Sequence, residues 1–572
     1  MKLTGAQIVI ECLKEQGVDT VFGYPGGAIL FIYDELYKNK DRIRHILTSH
    51  EQGACHAADG YSRSTGKTGV VFATSGPGAT NLVTGLATAY MDSIPLVAIT
   101  CNVPIALLGK DSFQEVDISG ITLPITKHSY ILKKGEQIAD AIREAFIVAN
   151  IGRPGPVLID IPKDVTAALF DYTSFTPLTV PKAEFIHKAG GLQRLIEGEP
   201  ISDKDFALAS ALINSAEKPI IYAGGGIIAS NAYAEVAELA EKADIPVCVS
   251  LMGKSAFPAN HRLCTGMVGM HGTKASNTAI NQADVIITLG ARFSDRVISD
   301  PKKFATKAKI LHIDIDEAEI NKNVCAYESL IGNLKDILLR LLPLVEKNVH
   351  NEWNEKIMQL KSHVPSMYIK KTNIHPKFVC EYINKKLGDD TIIVTEVGQH
   401  QMWTAQFYPF TKPRTFLTSG GLGTMGYGTG AAIGAQLANP NQRIVHIAGD
   451  GSFRMNCNEL ATIEYYNLPI IIIVVNNGTL GMVRQWQNLF YEKRFSETTL
   501  DRGPDFVKLA EAYGICAFCV KDESEFADAF DRAVALNKPV VINAYINIDE
   551  MVLPMVPAGK SIEDTLLEVN DN

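Results

Sequence analysis

The segment from residue 443 to residue 486 constrains the fold of this chain more than any other. It contains an apolar run that stops at 449–452 (GDGS), a helix-compatible stretch, and a second apolar run that stops at 476–478 (NNG). Strand, glycine-rich turn, helix, strand and polar turn follow one another in a βαβ unit, whose two strands are parallel. The segment therefore predicts an α/β fold built on a parallel sheet.

Both turns carry groups that suit a ligand. They follow strands, so they fall at the carboxyl edge of the sheet, where open α/β sheets bind ligands. Asp450 offers a carboxylate and Asn477 an amide oxygen, which are hard ligands for Mg²⁺. The glycines let backbone N–H groups approach a phosphate at a helix N-terminus. A lone GDGS is usually an ordinary turn, but the pair of turns after successive strands predicts a metal-bridged diphosphate.

Length and charge narrow the class of protein. A chain of 572 residues is too long for one core and predicts three to four domains. Hydrophobic residues make up 46% and charged residues 20%, as in an ordinary globular protein. The net charge of −9 and the lack of a Lys/Arg cluster argue against nucleic-acid binding.

Cysteine usage and hydropathy bear on the compartment. The ten cysteines are scattered, which indicates reduced thiols in a cytoplasmic protein. Cys516 and Cys519 form a CxxC within a strand-like run, for which we predict a structural role. Thr4 is placed to cap a first helix, and the N-terminus has neither a signal-peptide nor a transit-peptide pattern. No apolar run approaches the roughly 20 residues that span a bilayer, so no membrane partner is expected.

Three regions of the chain alternate strands with amphipathic helices. They cover residues 1–165, 201–345 and 373–548, and they are joined by connectors at 166–200 and 346–372 and followed by a tail at 549–572. The first and third regions share glycine-rich turns at strand ends. We therefore predict three doubly wound parallel-sheet domains, with a duplicated fold on either side of a middle domain.

A second carboxylate stands out in the first region. In the run HILTSHEQGACHAADGYSRSTG, Glu51 follows a short strand and begins a helix. A carboxylate there is favoured by the helix dipole, by about 0.3–1 kcal/mol. From the residues alone, that structural role is the simpler interpretation.

Many long motifs, in order, change this interpretation. They include FGYPGGAIL, TSGPGATNLVTGLATAYMDSIPLVAITCNV, SFQEVDISGIT, GRPGPVLIDIPKDV, GMHGT, LGARFSDRV, HIDID, VGQHQMW, GLGTMGYG and NNGTLGMVRQWQ. The GDG and NN turns resemble the diphosphate motif of thiamine diphosphate enzymes. From about residue 3 to residue 560 the chain resembles the acetohydroxyacid synthase (acetolactate synthase) large subunits. The resemblance implies a pyrimidine-binding first domain, an FAD-binding middle domain and a diphosphate-binding third domain.

The resemblance implies roles for the residues of the thiamine diphosphate site. Asp450, Asn477 and a main-chain oxygen of Thr479 would bind Mg²⁺, and Glu51 would hydrogen-bond the cofactor's aminopyrimidine and exchange a proton with it. The side chains of Gln399 and His400 would donate to the diphosphate, and Met425 would wedge between the cofactor's rings. The whole set of implied cofactor contacts is Gly26, Val397, Gly398, Gln399, His400, Gly423, Met425, Gly449, Gly451, Ser452 and Met482.

A second nucleotide is implied for the middle region. Gly224-Gly225-Gly226 follows a strand, although it does not match GxGxxG, and the acidic end of KILHIDID could accept from adenosine hydroxyls. By resemblance the ligand is FAD, with no evident redox role in the reaction. The implied contacts are Arg153, Gly224, Gly225, Met270, His271, Gly272, Gly290, Arg292 and Asp314.

The reaction implied is decarboxylation of pyruvate followed by ligation to a second 2-ketoacid. Pyruvate as acceptor gives 2-acetolactate, and 2-ketobutyrate gives 2-aceto-2-hydroxybutyrate, in branched-chain amino acid biosynthesis. Arg296 would bind the acceptor carboxylate and Trp486 its alkyl group. Gln114 and Lys163 would line the channel, with Phe113 and Met482 as apolar walls; Lys163 could equally be a surface charge.

Some features depart from the family pattern, and other functions stay open. Thr429-Gly430 replaces the usual Leu-Pro, which predicts a looser helix start; Ser294 and Glu317 also differ from the family, and we expect flavin affinity to be the property most affected.

A pyruvate oxidase is disfavoured by LGMVRQWQ, a simple 2-ketoacid decarboxylase would lack Arg296 and Trp486 in these motifs, and an inactive scaffold is disfavoured because the implied catalytic groups are intact. The resemblance further implies a homodimer or tetramer and a possible small regulatory subunit.

Overall fold

Three six-stranded sheets organise the molecule. The computed structural model describes residues 1–174, 201–362 and 374–567. In each of the three sheets every pair of neighbouring strands is parallel, and helices cover both faces. A small antiparallel pair, Lys2–Thr4 with Leu169–Asp171, ties the N-terminus to the end of the first region. The prediction of doubly wound parallel domains is confirmed.

The N-terminal sheet is formed by the first region. Its strands, in spatial order, are Arg44–Leu47, Thr20–Gly23, Gly69–Ala73, Leu96–Asn102, Pro156–Pro162 and His128–Ile131. Its helices are Gly5–Glu15, Leu30–Lys38, Glu51–Thr65, Pro77–Thr80, Val83–Asp92, Ile118–Thr122, Ile138–Asn150 and Lys163–Ala167. Thr4 caps the first helix in a capping box with Gln7, as the sequence predicts.

The C-terminal sheet repeats this plan. Its strands, in spatial order, are Phe416–Leu417, Ile392–Thr395, Ile444–Gly449, Ile471–Asn476, Val540–Tyr545 and Cys516–Val520. Its helices are Pro376–Leu387, Gln399–Phe407, Gly428–Ala438, Asp450–Phe453, Leu460–Tyr465, Gly481–Phe490, Phe506–Ala512 and Glu523–Leu536. With strands numbered along the chain within each sheet, both sheets have the order 2-1-3-4-6-5. The shared sequence pattern thus corresponds to a shared topology.

The middle sheet has a different order. Its strands, in space, are Cys264–Met267, Val247–Val249, Pro219–Ala223, Val285–Leu289, Lys309–Asp314 and Glu328–Ile331, which is 3-2-1-4-5-6 in the same numbering. Its helices are Asp203–Asn214, Gly225–Ala229, Tyr233–Lys242, Lys274–Gln282, Asp295–Ile298, Leu334–Leu341 and Asn351–Ser362. Dinucleotide-binding folds have this order, and they bind their ligand where the order reverses.

Short 3₁₀ turns complete the described secondary structure. They are Ile105–Leu107, Leu123–Ile125, Gly135–Gln137, Glu317–Glu319, Leu342–Leu344 and Cys457–Glu459. None of the described helices is long and apolar enough to cross a membrane. All ten cysteines are unpaired, and Cys516 and Cys519 lie on a strand, as the sequence predicts, which is at the edge of its sheet.

The C-terminal tail and the charged helix before the third region pack on the middle domain. Trp353 and Ile357 of the helix Asn351–Ser362 share a hydrophobic cluster with Ile562 of the tail. The backbone N–H of Val556 donates to the carbonyl of Met270 at 2.8 Å. The tail therefore connects the C-terminal sheet to the middle domain.

Two helices join the N-terminal and C-terminal domains. Helix Glu51–Thr65 packs so closely on helix Gly428–Ala438 that a Cβ at Gly434 would lie 1.8 Å from the carbonyl oxygen of Ala57. A Cβ at Gly430 would lie 2.7 Å from the carbonyl oxygen of Gly53. Glycines in these helices are therefore required by backbone-to-backbone packing.

The start of helix Gly428–Ala438 is held by a buried carboxylate. The backbone N–H groups of Gly428 and Thr429 both donate to the carboxylate of Glu396, at 2.9 and 3.2 Å. These bonds satisfy N–H groups of the first turn, where a carboxylate is favoured. The looser helix start expected for Thr429-Gly430 stays a prediction.

Candidate active site

The two predicted ligand turns lie side by side. Gly449 pairs with Val475 in the parallel register, so the turns leave the carboxyl edge of the sheet from neighbouring strands. Asp450 is buried, which raises the pKa of its carboxyl group to about 6, and it accepts a hydrogen bond from the backbone of Asn477. The side-chain oxygen of Asn477 accepts from the backbone N–H of Thr479 at 3.3 Å. The structure thus brings together the three residues predicted to bind the metal.

This oxygen-rich corner differs from a site built on several carboxylates or imidazoles. No group of three or more His, Cys, Asp or Glu side chains in the described ranges could hold a metal ion. A cation at Asp450 would therefore take its other ligands from amide, main-chain and phosphate oxygens. That donor set suits Mg²⁺, which is commonly bound by one or two carboxylates together with substrate phosphates.

His400 places a ring nitrogen without a partner beside the two turns. Its ring is buried, and its Nε2 atom has no hydrogen-bond partner among the residues that the structure describes. Burial lowers the pKa of His400 to about 4, so the ring is neutral at pH 7, with one nitrogen that donates and one that accepts. A Cβ at Gly449 would lie 2.7 Å from Nδ1 of His400, so the glycine makes room for the ring. A polar group of a ligand bound at the two turns would satisfy this nitrogen.

The side chain of Gln399 is used differently from the prediction. Its amide nitrogen donates to the side-chain oxygen of Gln485 at 3.0 Å and to the carbonyl of Glu550 at 2.9 Å. Both N–H groups are therefore engaged within the chain, and the side chain is not a diphosphate donor in this structure. Gln399 instead begins the helix Gln399–Phe407, which offers backbone N–H groups at its first turn.

Glu396 organises the loop that carries Gly423 and Met425. Its fully buried carboxylate accepts from the backbone N–H of Gly426 at 2.7 Å and from the hydroxyl of Ser452 at 2.8 Å, besides the two bonds to the following helix. Burial alone would raise the pKa of Glu396, but the ring of His446, 3.5 Å away, and the hydrogen bond from Ser452 hold this pKa below its usual value. Sequence reasoning gave this residue no role, because only the fold shows what surrounds it.

The N-terminal domain holds the other end of the same loop. The carboxylate of Asp92 accepts from the backbone N–H groups of Gly420 and Gly421, at 3.2 and 2.6 Å. The hydroxyls of Thr88 and Thr424 are 2.7 Å apart. Gly423 has φ +72° and is exposed, and a Cβ there would touch only Val397, at 3.9 Å. The loop is therefore fixed at both ends and open at its centre.

Glu51 lies in the N-terminal domain. It is buried at the start of its helix and accepts a hydrogen bond from the side-chain amide of Asn81 at 2.9 Å. A Cβ at Gly26 would lie 2.4 Å from the side chain of Thr74, whose buried hydroxyl has no partner within the described ranges. The polar groups found around Glu51 come from the N-terminal sheet, whereas those around Asp450 come from the C-terminal sheet.

The predicted substrate residues have different settings. Met482 and Trp486 share helix Gly481–Phe490, and the buried indole nitrogen of Trp486 has no partner in the part of the chain that the structure describes. Arg296 is exposed, with a guanidinium nitrogen 3.6 Å from Asp295. Phe113 and Gln114 lie in a loop of the first region. Both are exposed, and Gln114 has φ +60°.

Lys163 is half-buried at the first position of helix Lys163–Ala167. No contact of its side chain distinguishes a channel role from a surface charge, so both interpretations of the sequence stay open.

The predicted FAD residues of the middle domain lie at the carboxyl edge of its sheet and beside the tail, and Arg153 comes from the first region. A Cβ at Gly224 would lie 2.1 Å from the carbonyl oxygen of Gly290, so this contact by itself requires glycine. Burial, with the carboxylates of Asp316 and Glu319 nearby, raises the pKa of Asp314 to about 6. Arg153 is 3.1 Å from carboxylate oxygens of both Asp316 and Glu319.

The other predicted FAD residues frame the same region. His271 is buried, which lowers its pKa to about 4, and its Nδ1 lies 3.3 Å from the carbonyl of Pro554. A Cβ at Gly272 would lie 2.6 Å from the backbone nitrogen of Gly269. Three remaining residues border these: Gly225, Met270 and Arg292, all partly exposed.

Family models match each of the three sheets. The N-terminal thiamine pyrophosphate-binding domain of thiamine pyrophosphate enzymes matches residues 3–121, the central domain of these enzymes matches residues 207–341, and the C-terminal thiamine pyrophosphate-binding domain matches residues 396–544. Thiamine pyrophosphate is another name for thiamine diphosphate. Fold and site thus define a thiamine diphosphate-dependent enzyme.

Curated relatives narrow the class. A probable acetolactate synthase large subunit of Methanocaldococcus jannaschii is 47% identical, covering 97% of this chain and 94% of its own length. The acetolactate synthase large subunit of Pyropia yezoensis is 44% identical over 98% and 94% of the two chains. An acetolactate synthase of Mycobacterium bovis is 44% identical over 98% and 91%. The chain belongs to the acetolactate synthase large-subunit family, and neither the oxidase nor the simple decarboxylase is favoured.

Proposed function

We propose that this chain decarboxylates pyruvate on thiamine diphosphate and joins the resulting two-carbon unit to a second 2-ketoacid, as the catalytic subunit of an acetolactate synthase. Its place is branched-chain amino acid biosynthesis. The observation that best supports this proposal is the pair of neighbouring turns. They hold the buried Asp450, the side chain of Asn477 in a fixed orientation, and Nε2 of His400, which has no partner among the described residues. The acceptor is pyruvate or 2-ketobutyrate.

Mg²⁺ and the diphosphate fit the C-terminal turns. Asp450, the side-chain oxygen of Asn477 and a main-chain oxygen of Thr479 would bind the metal. His400, Gly451 and Ser452, with backbone groups at Val397, Gly398 and Gln399, would face the phosphates. Two observations support this proposal. The buried carboxylate of Asp450 has a raised pKa, which a bound cation would offset, and a buried nitrogen of His400 has no partner among the described residues, so that a polar ligand group would satisfy it.

Glu51 is proposed to act on the aminopyrimidine. Its carboxylate would hydrogen-bond a ring nitrogen and exchange a proton with it, while Asn81 fixes the carboxylate. Gly423 and Met425, on a loop held by Asp92 and Glu396, would fix the shape of the cofactor. Thiamine diphosphate itself supplies the carbon that adds to the ketone and accepts the electrons released with CO₂.

The acceptor is proposed to lie against helix Gly481–Phe490. Trp486 and Met482 would contact its alkyl group, and Arg296 would bind its carboxylate, which a guanidinium can do in a bidentate manner. Gln114, Lys163 and Phe113 would line the approach. The exposed settings of Phe113, Gln114 and Arg296 leave these side chains accessible to a small substrate.

FAD is proposed as the ligand of the middle domain. The sheet order and the buried carboxylate of Asp314 suit a nucleotide at this edge. Gly225, Arg292, Met270 and His271 would contact it. In this structure Arg153 forms ion pairs with Asp316 and Glu319. Arg153 would therefore contact FAD either while these ion pairs are kept or after they break.

A homodimer or tetramer is proposed as the active form. Glu51 and Asp450 lie in different domains, and both of these domains expose large apolar side chains. They include Leu30, Phe31, Leu422, Met455 and Tyr465. A second subunit that covers these side chains would bring the Glu51 site of one copy to the Asp450 site of the other.

We further propose a small regulatory subunit as a partner and the cytoplasm as the location. The ten unpaired cysteines support the cytoplasmic location.

Product analysis tests the proposed reaction. The purified protein is mixed with pyruvate, Mg²⁺, thiamine diphosphate and FAD, with and without oxygen. We expect acetolactate at equal rates in both. Acetaldehyde alone would indicate a decarboxylase, and oxygen-dependent acetate or acetyl phosphate would indicate an oxidase; either result contradicts the proposal.

A further inference from the structure

A chain of three buried side-chain amides runs from Asn477 to the C-terminal tail. Asn477 Nδ2 donates to Gln399 Oε1 at 3.1 Å, and Gln399 Nε2 donates to Gln485 Oε1 at 3.0 Å. Gln485 Nε2 then donates to the carbonyl of Val552 at 3.0 Å. Asn477 follows a strand of the C-terminal domain, whereas Gln399 and Gln485 lie in two different helices of this domain.

An amide has one end that only donates and one that only accepts, so each link must have a direction. Backbone groups of the tail set that direction. The N–H of Val552 donates to Gln485 Oε1 at 2.8 Å, while the carbonyl of the same residue accepts from Gln485 Nε2. A flipped Gln485 would place two donors together and two acceptors together, which is unfavourable for buried groups.

The next two amides are oriented in the same way. Gln485 Oε1 and the carbonyl of Glu550 are both acceptors, so Gln399 must present its nitrogen to them. Its oxygen therefore faces Asn477, and Asn477 must present its nitrogen in return. The oxygen of Asn477 is thereby turned away from Gln399, and it accepts from the backbone N–H of Thr479 at 3.3 Å, within the second of the two turns.

A glycine leaves the space for this arrangement. A Cβ at Gly481 would lie 1.9 Å from Gln399 Oε1 and 2.6 Å from Asn477 Nδ2. Gly481 therefore lies directly against the hydrogen bond between Asn477 and Gln399. Any side chain at this position would displace the bond.

We propose that Gln399 and Gln485 are positioning residues for Asn477. Hydrogen bonds with the tail backbone at Glu550 and Val552 fix the orientation of these two side chains, and they in turn orient Asn477 so that it offers oxygen rather than nitrogen to the metal. The inference rests on the proposed role of Asn477 as a Mg²⁺ ligand. A cation requires an electron-pair donor, and an NH₂ group turned toward it would repel it. Partners of this kind typically change metal affinity by about 10–100-fold.

Mn²⁺ binding to the full-length protein with thiamine diphosphate tests the proposal, measured as free Mn²⁺ by electron paramagnetic resonance. We expect Gln399→Leu and Gln485→Leu to weaken Mn²⁺ binding by about 10–100-fold. Gln436→Leu is the matched control. Gln436 lies on a different helix, Gly428–Ala438, is also buried, and donates to the main-chain carbonyls of Asn439 and Gln442. It should stay within about twofold of the unaltered protein.

Asp450→Ala separates the proposal from the assignment it rests on. If Asp450→Ala binds Mn²⁺ normally, the metal is not at these turns and the proposed site is wrong. If Asp450→Ala loses Mn²⁺ but Gln399→Leu and Gln485→Leu behave like Gln436→Leu, the metal site is right and the positioning role is overturned.

A double-mutant cycle distinguishes orientation from loss of folding. A carboxylate presents oxygen whichever way it turns, so in an Asn477→Asp background Gln399→Leu should cost little or no Mn²⁺ affinity. An equal loss from Gln399→Leu in both backgrounds would overturn the proposal, because damage to the fold does not depend on which atom residue 477 presents.

Discussion

The side-chain amide of Asn81 holds the carboxylate of Glu51 by one oxygen, with Nδ2 2.9 Å from Oε2. The other oxygen, Oε1, lies beside Gly78, where an added Cβ would come within 3.1 Å of it. Asn81 therefore orients Glu51 without occupying both oxygens, and Gly78 keeps the second one uncrowded. A carboxylate held in this way can exchange a proton with a ligand at its remaining oxygen.

Glu51→Gln should remove turnover while cofactor binding stays measurable. An amide cannot take up and return a proton as a carboxylate can, and general acid–base groups typically contribute about 10²–10⁴-fold. Steady-state kinetics with pyruvate and a titration with thiamine diphosphate measure the two effects. Glu35→Gln is the control, a similarly buried carboxylate on another helix of the same domain that is paired with Lys38. Full activity of Glu51→Gln would reject the role.

Asp450→Ala should weaken retention of Mg²⁺ and thiamine diphosphate by more than about 100-fold, since it removes the one carboxylate of the site. Calorimetric titration of the cofactor at fixed Mg²⁺ measures this. Asp528→Ala, on an exposed face of helix Glu523–Leu536, should leave retention unchanged. Unaltered retention in Asp450→Ala would remove Asp450 from the ligand set.

Trp486→Leu should reduce the preference for 2-ketobutyrate over pyruvate as acceptor. Apolar contact with one extra methylene is worth about 1–3 kcal/mol, or about 10–200-fold in discrimination. Competition between the two acceptors, with both products quantified, measures the ratio independently of total activity. Val483→Ala, exposed on the same helix, is the control. A preference that does not change in Trp486→Leu would place the acceptor elsewhere.

Gly434→Ala should destabilise the protein and loosen the contact between the N-terminal and C-terminal domains. The added Cβ would lie 1.8 Å from the carbonyl oxygen of Ala57, and backbone cannot move aside as a flexible side chain can. Overpacking of this kind costs about 1–3 kcal/mol or more. Urea unfolding measures the loss. Gly27→Ala, where nothing lies within 4 Å of the added atom, should have little effect.

Asp314→Asn should stabilise the flavin-free protein at pH 8 but not at pH 4. The pKa of Asp314 is about 6 in the folded protein, above its ordinary 3.8, so the folded state binds the proton more tightly than the unfolded state does. The stability contributed by the protonated group is present below pH 4 and is lost as the pH rises through 6. The difference of about two pH units corresponds to about 3 kcal/mol at most.

Thermal unfolding of the flavin-free protein and its Asp314→Asn variant across this pH range measures the effect. The same variant should bind FAD more weakly, because it loses a carboxylate that could accept from the nucleotide. Identical pH dependence of the two proteins would contradict the raised pKa.

Local sequence was sufficient to determine most of the fold. Alternating apolar runs and helical stretches predicted the three parallel sheets, and Thr4 predicted the first helix. The GDG and NN turns predicted that Asp450 and Asn477 would meet, because parallel strands in sequence order bring their carboxyl ends to one edge. These inferences succeed because each depends on residues close together in the chain.

Tertiary structure alone decided how the site is held. Glu396, Asn81 and Gln485 attract no notice in the sequence, yet each makes a buried hydrogen bond at one of the two sites. The side chain of Gln399, predicted to donate to a diphosphate, donates instead to Gln485 and the tail. A buried amide or carboxylate takes whatever partner the fold places within about 3 Å, and for these residues that partner comes from a segment tens to hundreds of residues away.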